Sequence, residues 1–395
     1  MKIIPRSLTP YLLKAATGYP VIEILGPRQS GKTTLSRAAF PDYRYVSLEN
    51  PDNRAFAKED PRGFLDHHRN PNGIIIDEVQ YAPDLLSYIQ TDVDLTGKKG
   101  YYVITGSQNI LLNEAVSQSL AGRVSIFTLL PFSLEELAGA HLVPESLEEM
   151  LFKGCYPRIW ADKLDPLDWY PNYINTYIER DVRLIKNVTD LSLFQKFMGL
   201  CAGRVGQILN YSAIANDCGV TMPTVKAWIS ILEQSYICFE VQPYHNNFSK
   251  RLIKSSKLYF YDTGLACSLL GITSSDQLAN HYLKGGIFES FVISELIKQN
   301  YNSNRRPRMY FWRDQSGHEI DCIIEKGTTL IPIEIKAGKT INQGFTQELT
   351  YWNELSATNP KDNIIVYGGT QYQQRSAGLF VDWQSLPKLT SLIIS

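Results

Sequence analysis

The segment VIEILGPRQSGKTTL, residues 21–35, constrains the fold of this chain more than any other. A short apolar run of strand type passes directly into a turn bounded by glycines, and the turn passes into a helical stretch. The pattern fits G-x-x-x-x-G-K-[ST] through Gly26, Gly31, Lys32 and Thr33. Glycine at both ends lets the intervening N–H groups curl around an anion, and the following helix adds the positive end of its dipole. Gly26, Pro27, Arg28, Gln29, Ser30, Gly31, Lys32, Thr33 and Thr34 are therefore expected to cradle the phosphates of ATP. Lys32 would reach the β- and γ-phosphates, and the Thr33 hydroxyl would ligate Mg²⁺.

Such a strand–loop–helix unit needs a parallel sheet around it, and residues 1–140 alternate strand and helix patterns as that sheet requires. Strands are expected over residues 21–25, 43–48, 73–77, 101–105 and 124–129. Residues 141–194 read as helical, residues 195–265 as short helices followed by two strands, and residues 266–395 as a helix with several strands. A chain of 395 residues exceeds one ordinary core, so several domains are expected.

Composition narrows the function classes. No run of 18 apolar residues occurs, so no membrane span is expected. The N-terminal MKIIPRSLTPYLLKAA lacks the pattern of a secretory signal. Six scattered cysteines, without Cys-x-x-Cys, suggest reduced buried thiols in a cytoplasmic protein. A formal net charge of −1 excludes nucleic-acid binding through global charge and leaves local basic patches.

The apolar segment NGIIIDEVQYAP ends in two acids, which are costly at the end of a buried strand unless they face a metal or a cleft. Asp77 is expected to hold Mg²⁺, and Glu78 to orient and polarise the attacking water. A third strand, YYVITGSQN, ends beside the same crevice. Ser107 is expected at the γ-phosphate or the water, with Gln108 as an alternative.

GPRQSGKTTL, IIIDEVQYAPDLL, YVITGSQNILL, SLAGRVSIFTLLPFSLEEL, GCYPRIW and YIERDV, in this order over residues 18–185, resemble the AAA+ ATPases, and more narrowly the ATPases that pair an AAA module with a DUF4143 domain. The resemblance implies a helical lid after the ATPase core and assembly into a homo-oligomeric, hexameric ring. It also implies an arginine finger at Arg123 acting on a neighbouring subunit, and a lid-side nucleotide sensor at Arg158. DNA is the expected partner, with a protein partner as the other possibility.

Between residues 195 and 265, SAIANDCG ends at Gly219, and Thr221 with Pro223 opens a second helix whose Val225, Ile229 and Leu232 share one face. Two strands follow across a loop carrying Lys250, Arg251, Lys254 and Lys257. This winged-helix pattern would bring Thr224 and Lys226 to a groove and the basic loop to phosphate.

The last region contains EIDCIIE and LIPIEIKA. Alternation places Glu319, Asp321 and Ile323 on one face of the first strand, and Pro332, Glu334 and Lys336 on one face of the second. An Asp followed by Glu-x-Lys on the next strand resembles the core of the PD-(D/E)xK nucleases, and Glu289 on the preceding helix matches their additional acid. The resemblance implies Mg²⁺ held by Glu289, Asp321 and Glu334, with Lys336 stabilising charge on the phosphodiester. RRPR at residues 305–308 would help hold a phosphate backbone. The fold class expected is thus α/β: a P-loop AAA+ parallel sheet with a helical lid, a winged helix and a C-terminal α/β PD-(D/E)xK-like domain. Its expected function is Mg²⁺-dependent ATP hydrolysis driving an oligomeric motor on DNA. The alternative is a nucleotide-controlled switch that governs assembly with a protein, its nuclease-like domain being non-catalytic.

Overall fold

A computed structural model describes residues 3–107, 119–180, 182, 188, 190–244 and 254–394. Strands β1 (Val21–Leu25), β2 (Arg44–Ser47), β3 (Ile74–Asp77), β4 (Tyr102–Gly106) and β5 (Val124–Thr128) form an entirely parallel sheet in the order β2-β3-β4-β1-β5. β1, β3 and β4 are buried along their whole length, which is why they read as unbroken apolar runs. β5 closes one edge and exposes Ile126. Separate apolar clusters cover the two faces. Val21, Leu25 and Ile76 belong to one, and Ile22, Ile24 and Ile75 to the other.

The polypeptide then passes through helices Leu134–Gly139, Leu147–Lys153 and Pro166–Arg180 to the helices Leu191–Ala202, Tyr211–Cys218 and Met222–Gln234. Gly219 ends the second-last of these at φ 79°, and the Thr221 side chain caps the last by accepting from Thr224 N–H. Val225, Ile229 and Leu232 are buried as their spacing requires. A small antiparallel sheet follows, in the order β6-β8-β7, from β6 (Gln207–Ile208), β7 (Cys238–Val241) and β8 (Lys257–Phe260). Lys257 departs from its expected place in a basic loop. It opens β8, between Ile208 and Val241, and is 2% exposed. The calls on Gln108, Lys250, Arg251 and part of YIERDV lie outside the described residues.

The C-terminal unit is a mixed sheet in the order β13-β14-β12-β11-β10-β9. Its strands are β9 (Met309–Arg313), β10 (Glu319–Lys326), β11 (Thr329–Lys336), β12 (Ile364–Tyr367), β13 (Gln373–Arg375) and β14 (Gly378–Asp382). The alternation expected over residues 319–324 does not hold. The pairing of β10 with β9 shifts register between Ile320 and Ile323. Those two isoleucines consequently pack in one cluster with Trp312 and Trp352, while Cys322 and Ile324 join the opposite core. All six cysteines are buried and unbridged. Among the described residues no helix is long and apolar enough to cross a membrane.

One long helix, Lys284–Asn302, ties these units together. It is buried along most of its length and contacts β5, β8 and β11. The apolar cluster around it runs without a break from Leu130 to Ile393.

Glu23 sits at the centre of β1, shares a face with Val21 and Leu25, and has one carboxyl oxygen without a hydrogen bond. Burial pushes its carboxyl up to about 7, so the folded chain holds this proton more tightly than the unfolded chain. The associated stability is fully present below the ordinary glutamate range and is lost as pH rises through about 7. Glu23→Gln is therefore expected to match wild type in thermal unfolding near pH 4 and to exceed it at pH 8, by up to about 3 kcal/mol. Equal differences at both pH values would contradict this assignment.

Candidate functional site

The nucleotide site grows from the C-terminal ends of the parallel strands. Gly26 leaves β1 at φ 150°, and a Cβ there would stand 2.1 Å from the Leu129 carbonyl oxygen, so the close passage of two backbones demands glycine. Gly31, at φ 96°, is the cap residue of the helix Lys32–Ala39. The Lys32 side chain is 5% exposed, and its Nζ donates to the carbonyl oxygens of Gly26 (3.0 Å) and Pro27 (2.8 Å). The ammonium thus folds back over its own loop. Arg28 lies 3.9 Å from Glu49.

Thr33 Oγ1 donates to Asp77 Oδ2 at 2.9 Å, so the two expected Mg²⁺ ligands stand side by side. Asp77 also accepts from the Tyr45 hydroxyl at 2.8 Å and from Thr105 Oγ1. Burial and the neighbouring Asp77 carboxylate push the Tyr45 hydroxyl up to about 12, which keeps it a donor. These partners suit the residues to the group the motif implies: a carboxylate and a hydroxyl share one point beside a buried ammonium and a loop of backbone N–H groups.

Glu78 follows Asp77 in the left-handed region, at φ 59° and ψ 48°. A non-glycine residue there costs about 1–3 kcal/mol and persists only where its surroundings enforce it. Its N–H donates to Thr105 Oγ1 at 3.3 Å. Gln80 Nε2 donates both to Glu78 Oε2 and to Ser107 Oγ, the latter at 3.0 Å, so Glu78, Gln80 and Ser107 form one chain at the strand ends. Ser107 thus stands next to the expected catalytic acid, as its strand-end position suggests.

Tyr45, Thr105 and Gln80 do not follow from the motif alone. Thr105 could have been found, because β4 neighbours β3 and the register Ile76↔Ile104 puts Asp77 next to Thr105. Arg6 gives no such signal. It is buried, donates to Ser30 O (2.8 Å), Leu130 O (2.7 Å) and Glu136 Oε1 (3.0 Å), and so braces the phosphate loop from the N-terminal segment.

A cleft of about 350 Å³ opens beside the loop, lined by Gln29, Arg158, Asp165, Trp169 and Tyr173 among others. The Trp169 and Tyr173 rings stack at 5.0 Å. Arg158 is half exposed and donates to Asp162 at 3.0 Å. Arg123 lies apart from the loop, a third exposed, where Asp94 receives its guanidinium at both oxygens (2.6 and 2.8 Å).

The second constellation is in the C-terminal unit. Glu289 from the long helix meets Glu319 and Asp321 from β10, with one carboxylate oxygen of each within 4.8 Å of the others. Glu334 stands next to this group, pairs with Lys336, and has one buried oxygen without a hydrogen bond. Burial, with Asp321 beside it, pushes the Glu334 carboxyl well above the usual carboxylate range. Glu319 lies on the expected strand face, and its place in the acid group does not follow from the sequence motif. Lys257 departs from the basic loop expected for it. Its Nζ enters the group, 2.8 Å from Glu289 Oε1, against Glu319 Oε1 and 3.9 Å from Asp321 Oδ1.

The loop, the acid-ended strand and the parallel sheet define a P-loop nucleotide-binding protein. Comparison with known proteins agrees. An AAA domain family matches residues 18–138, a domain of unknown function designated DUF8612 matches residues 144–276, and DUF4143 matches residues 284–386. The uncharacterized protein Rv2008c of Mycobacterium tuberculosis is 28% identical over 346 residues, covering 86% of this chain and 75% of that protein. The uncharacterized protein MJ1637 of Methanocaldococcus jannaschii is 25% identical over 241 residues, covering 51% and 50% respectively. Among solved structures, the Walker-type ATPase paby2304 of Pyrococcus abyssi is similar with a TM-score of 0.45 and 16% identity, covering 68% of this chain and 96% of that one. The chain is thus a P-loop ATPase that carries an AAA domain over residues 18–138 and a DUF4143 domain over residues 284–386.

Lys32→Ala is expected to lose nucleotide binding in a fluorescent-ATP titration, whereas Glu78→Gln is expected to retain binding and lose turnover by about 10²-fold or more. Wild-type affinity in Lys32→Ala, or wild-type turnover in Glu78→Gln, would contradict these roles.

Proposed function

We propose that the chain is a Mg²⁺-dependent ATP-hydrolysing AAA+ protein that works as a homo-oligomeric ring on DNA. The observation that carries this reading is the Thr33–Asp77 pair at the mouth of the phosphate loop, with Glu78 beside it in an enforced left-handed conformation.

In this reading Lys32 turns from the Gly26 and Pro27 carbonyl groups to the β- and γ-phosphates. Thr33 and Asp77 would hold Mg²⁺, which would supply charge neutralisation at the phosphate oxygens. Glu78 orients and polarises the attacking water, and Gln80 and Ser107 fix the direction of its carboxylate. The cleft between Gln29 and the helix Pro166–Arg180 accommodates the base. Arg123 leaves Asp94 and reaches the site of a neighbouring subunit, where it neutralises transition-state charge.

Support for DNA comes from a second cleft, of about 260 Å³, whose lining includes Arg305, Arg306, Arg308 and Lys326 at the edge of the C-terminal unit. Thr224 and Lys226 on the helix Met222–Gln234 would add contacts if this segment acts as a winged helix. The C-terminal unit takes no part in cleavage in this reading, because the cation position among its carboxylates is filled by Lys257.

A second reading, the nucleotide-controlled switch, is supported by the polar path from Ser30 through Arg6 and Glu136 to the residues that hold the long helix. Steady-state ATP turnover with and without duplex and single-stranded DNA, across protein concentrations, separates the two. The motor reading expects turnover per chain to rise with protein concentration and with DNA. It also expects Arg123→Ala to bind ATP while turning over about 10³-fold more slowly. Turnover indifferent to DNA would favour the switch, and an Arg123→Ala variant with wild-type turnover would remove the role in trans.

A further inference from the structure

In the C-terminal unit, the acids that resemble a divalent-metal site are arranged around an ammonium group. Lys257 Nζ lies 2.8 Å from Glu289 Oε1, touches Glu319 Oε1 and stands 3.9 Å from Asp321 Oδ1, so it contacts the same three residues whose oxygens converge. A divalent ion at that point would need six or more oxygen ligands at about 2.0–2.6 Å and would share its space with a fixed positive charge. The residues as arranged therefore do not fit a bound metal.

The lysine is held there by the fold rather than by a flexible stem alone. It is 2% exposed and occupies the central strand of its sheet, paired with Ile208 on one side and Val241 on the other. Tyr259, two residues along the same strand, donates its hydroxyl to Glu289 Oε1. The turn before β6 packs directly on the helix that carries Glu289. A Cβ on Gly206 would stand 3.0 Å from Gly286 Cα, and one on Gly286 would stand 2.4 Å from Val205 O. Removing the lysine from the cluster thus requires β8 and this packed turn to move together.

Charge balance points the same way. Glu289, Glu319, Asp321 and Glu334 face Lys257, Lys336 and Arg313, the last reaching Glu319 Oε2 at 2.9 Å. Removing Lys257 takes one positive charge out of this group and leaves Glu289, Glu319 and Asp321 without the cation they share. Asp321 Oδ2 is already engaged by Ile335 N–H at 2.8 Å, while one Glu334 oxygen is buried without a hydrogen bond.

We propose that Lys257 is a built-in counter-cation occupying the divalent-metal position of the C-terminal carboxylate cluster. In this conformation the cluster joins β8 to the C-terminal unit instead of holding a metal. It becomes a metal site only when the Lys257 ammonium no longer occupies it. The inference is independent of nucleotide turnover and is tested without ATP.

The test is titration of the full chain with Mn²⁺ alone, read by calorimetry and by the loss of the free-Mn²⁺ spin-resonance signal. It uses wild type, Asp321→Asn, Lys257→Met, Lys257→Gln, and each Lys257 variant combined with Asp321→Asn. Wild type is expected to take up no Mn²⁺ at the cluster. The neutral variants are expected to bind one ion per chain, about tenfold or more tightly than wild type, and to lose it when Asp321→Asn is added. Mn²⁺ is also expected to raise the unfolding temperature of the neutral variants and not that of wild type. If both variants fold only when Mn²⁺ is supplied, the proposal stands. It is overturned if wild type binds one Mn²⁺ as tightly as they do and loses it on Asp321→Asn. It is likewise overturned if the variants fold and bind none, retain the ion with Asp321→Asn, or fail to fold even with Mn²⁺.

Discussion

The buried Glu295–Lys298 pair is the interaction on which the rest of the structure depends. Its members lie one turn apart on the helix Lys284–Asn302, each about 2% exposed, with 2.8 Å between their charged atoms. Two charges in such a place are costly unless every remaining donor and acceptor is used. Here Glu295 Oε2 accepts from Leu134 N–H at 2.7 Å, and Lys298 Nζ donates to Phe132 O at 3.1 Å. Both backbone groups belong to the short segment that leaves the parallel sheet after β5. The pair therefore fixes where the C-terminal helix sits on the ATPase core, and the continuous apolar cluster from Leu130 to Ile393 packs around that joint.

The same segment leads back to the phosphate loop. Glu136 closes a capping box with Ser133 and also takes the Arg6 guanidinium, whose other nitrogens hold Ser30 O and Leu130 O. Hydrogen bonds, joined through the Ser133–Leu134 backbone, thus connect the candidate phosphate loop to the helix carrying Glu289 and Glu295. The two constellations are built alike in one respect. At the nucleotide end Lys32 rests on carbonyl oxygens of its own loop, and at the C-terminal end Lys257 rests among carboxylates. The first lysine is held through side-chain contacts to its own loop. The second is committed by strand pairing.

The layout of the candidate nucleotide site was legible in the sequence because its residues lie in contiguous motifs whose spacing encodes the geometry. Gly26, Gly31, Lys32, Thr33, Asp77 and Glu78 fall on a loop and two strand ends that a parallel sheet must bring together. Most strands were legible through their apolar runs. Partners contributed from afar were not. Arg6 reaches the loop across 24 residues of chain and Glu136 across 130, and no local pattern announces either contact. In the C-terminal unit, strict alternation failed at the register shift between Ile320 and Ile323, because a bulge is a two-strand property. Lys257 was misplaced for a related reason: a lysine at the edge of a basic stretch reads as solvated, and only tertiary packing reveals the acids that bury it.

On this reading the chain binds and hydrolyses ATP at the Gly26–Thr33 loop. Release of inorganic phosphate by the purified full chain, normalised to nucleotide-binding sites and measured with Mg²⁺ and after its chelation, tests it most directly. One ATP site per chain is expected, with phosphate release that stops when Mg²⁺ is removed. A folded chain that binds no ATP, or that releases phosphate equally well without a divalent ion, would contradict it.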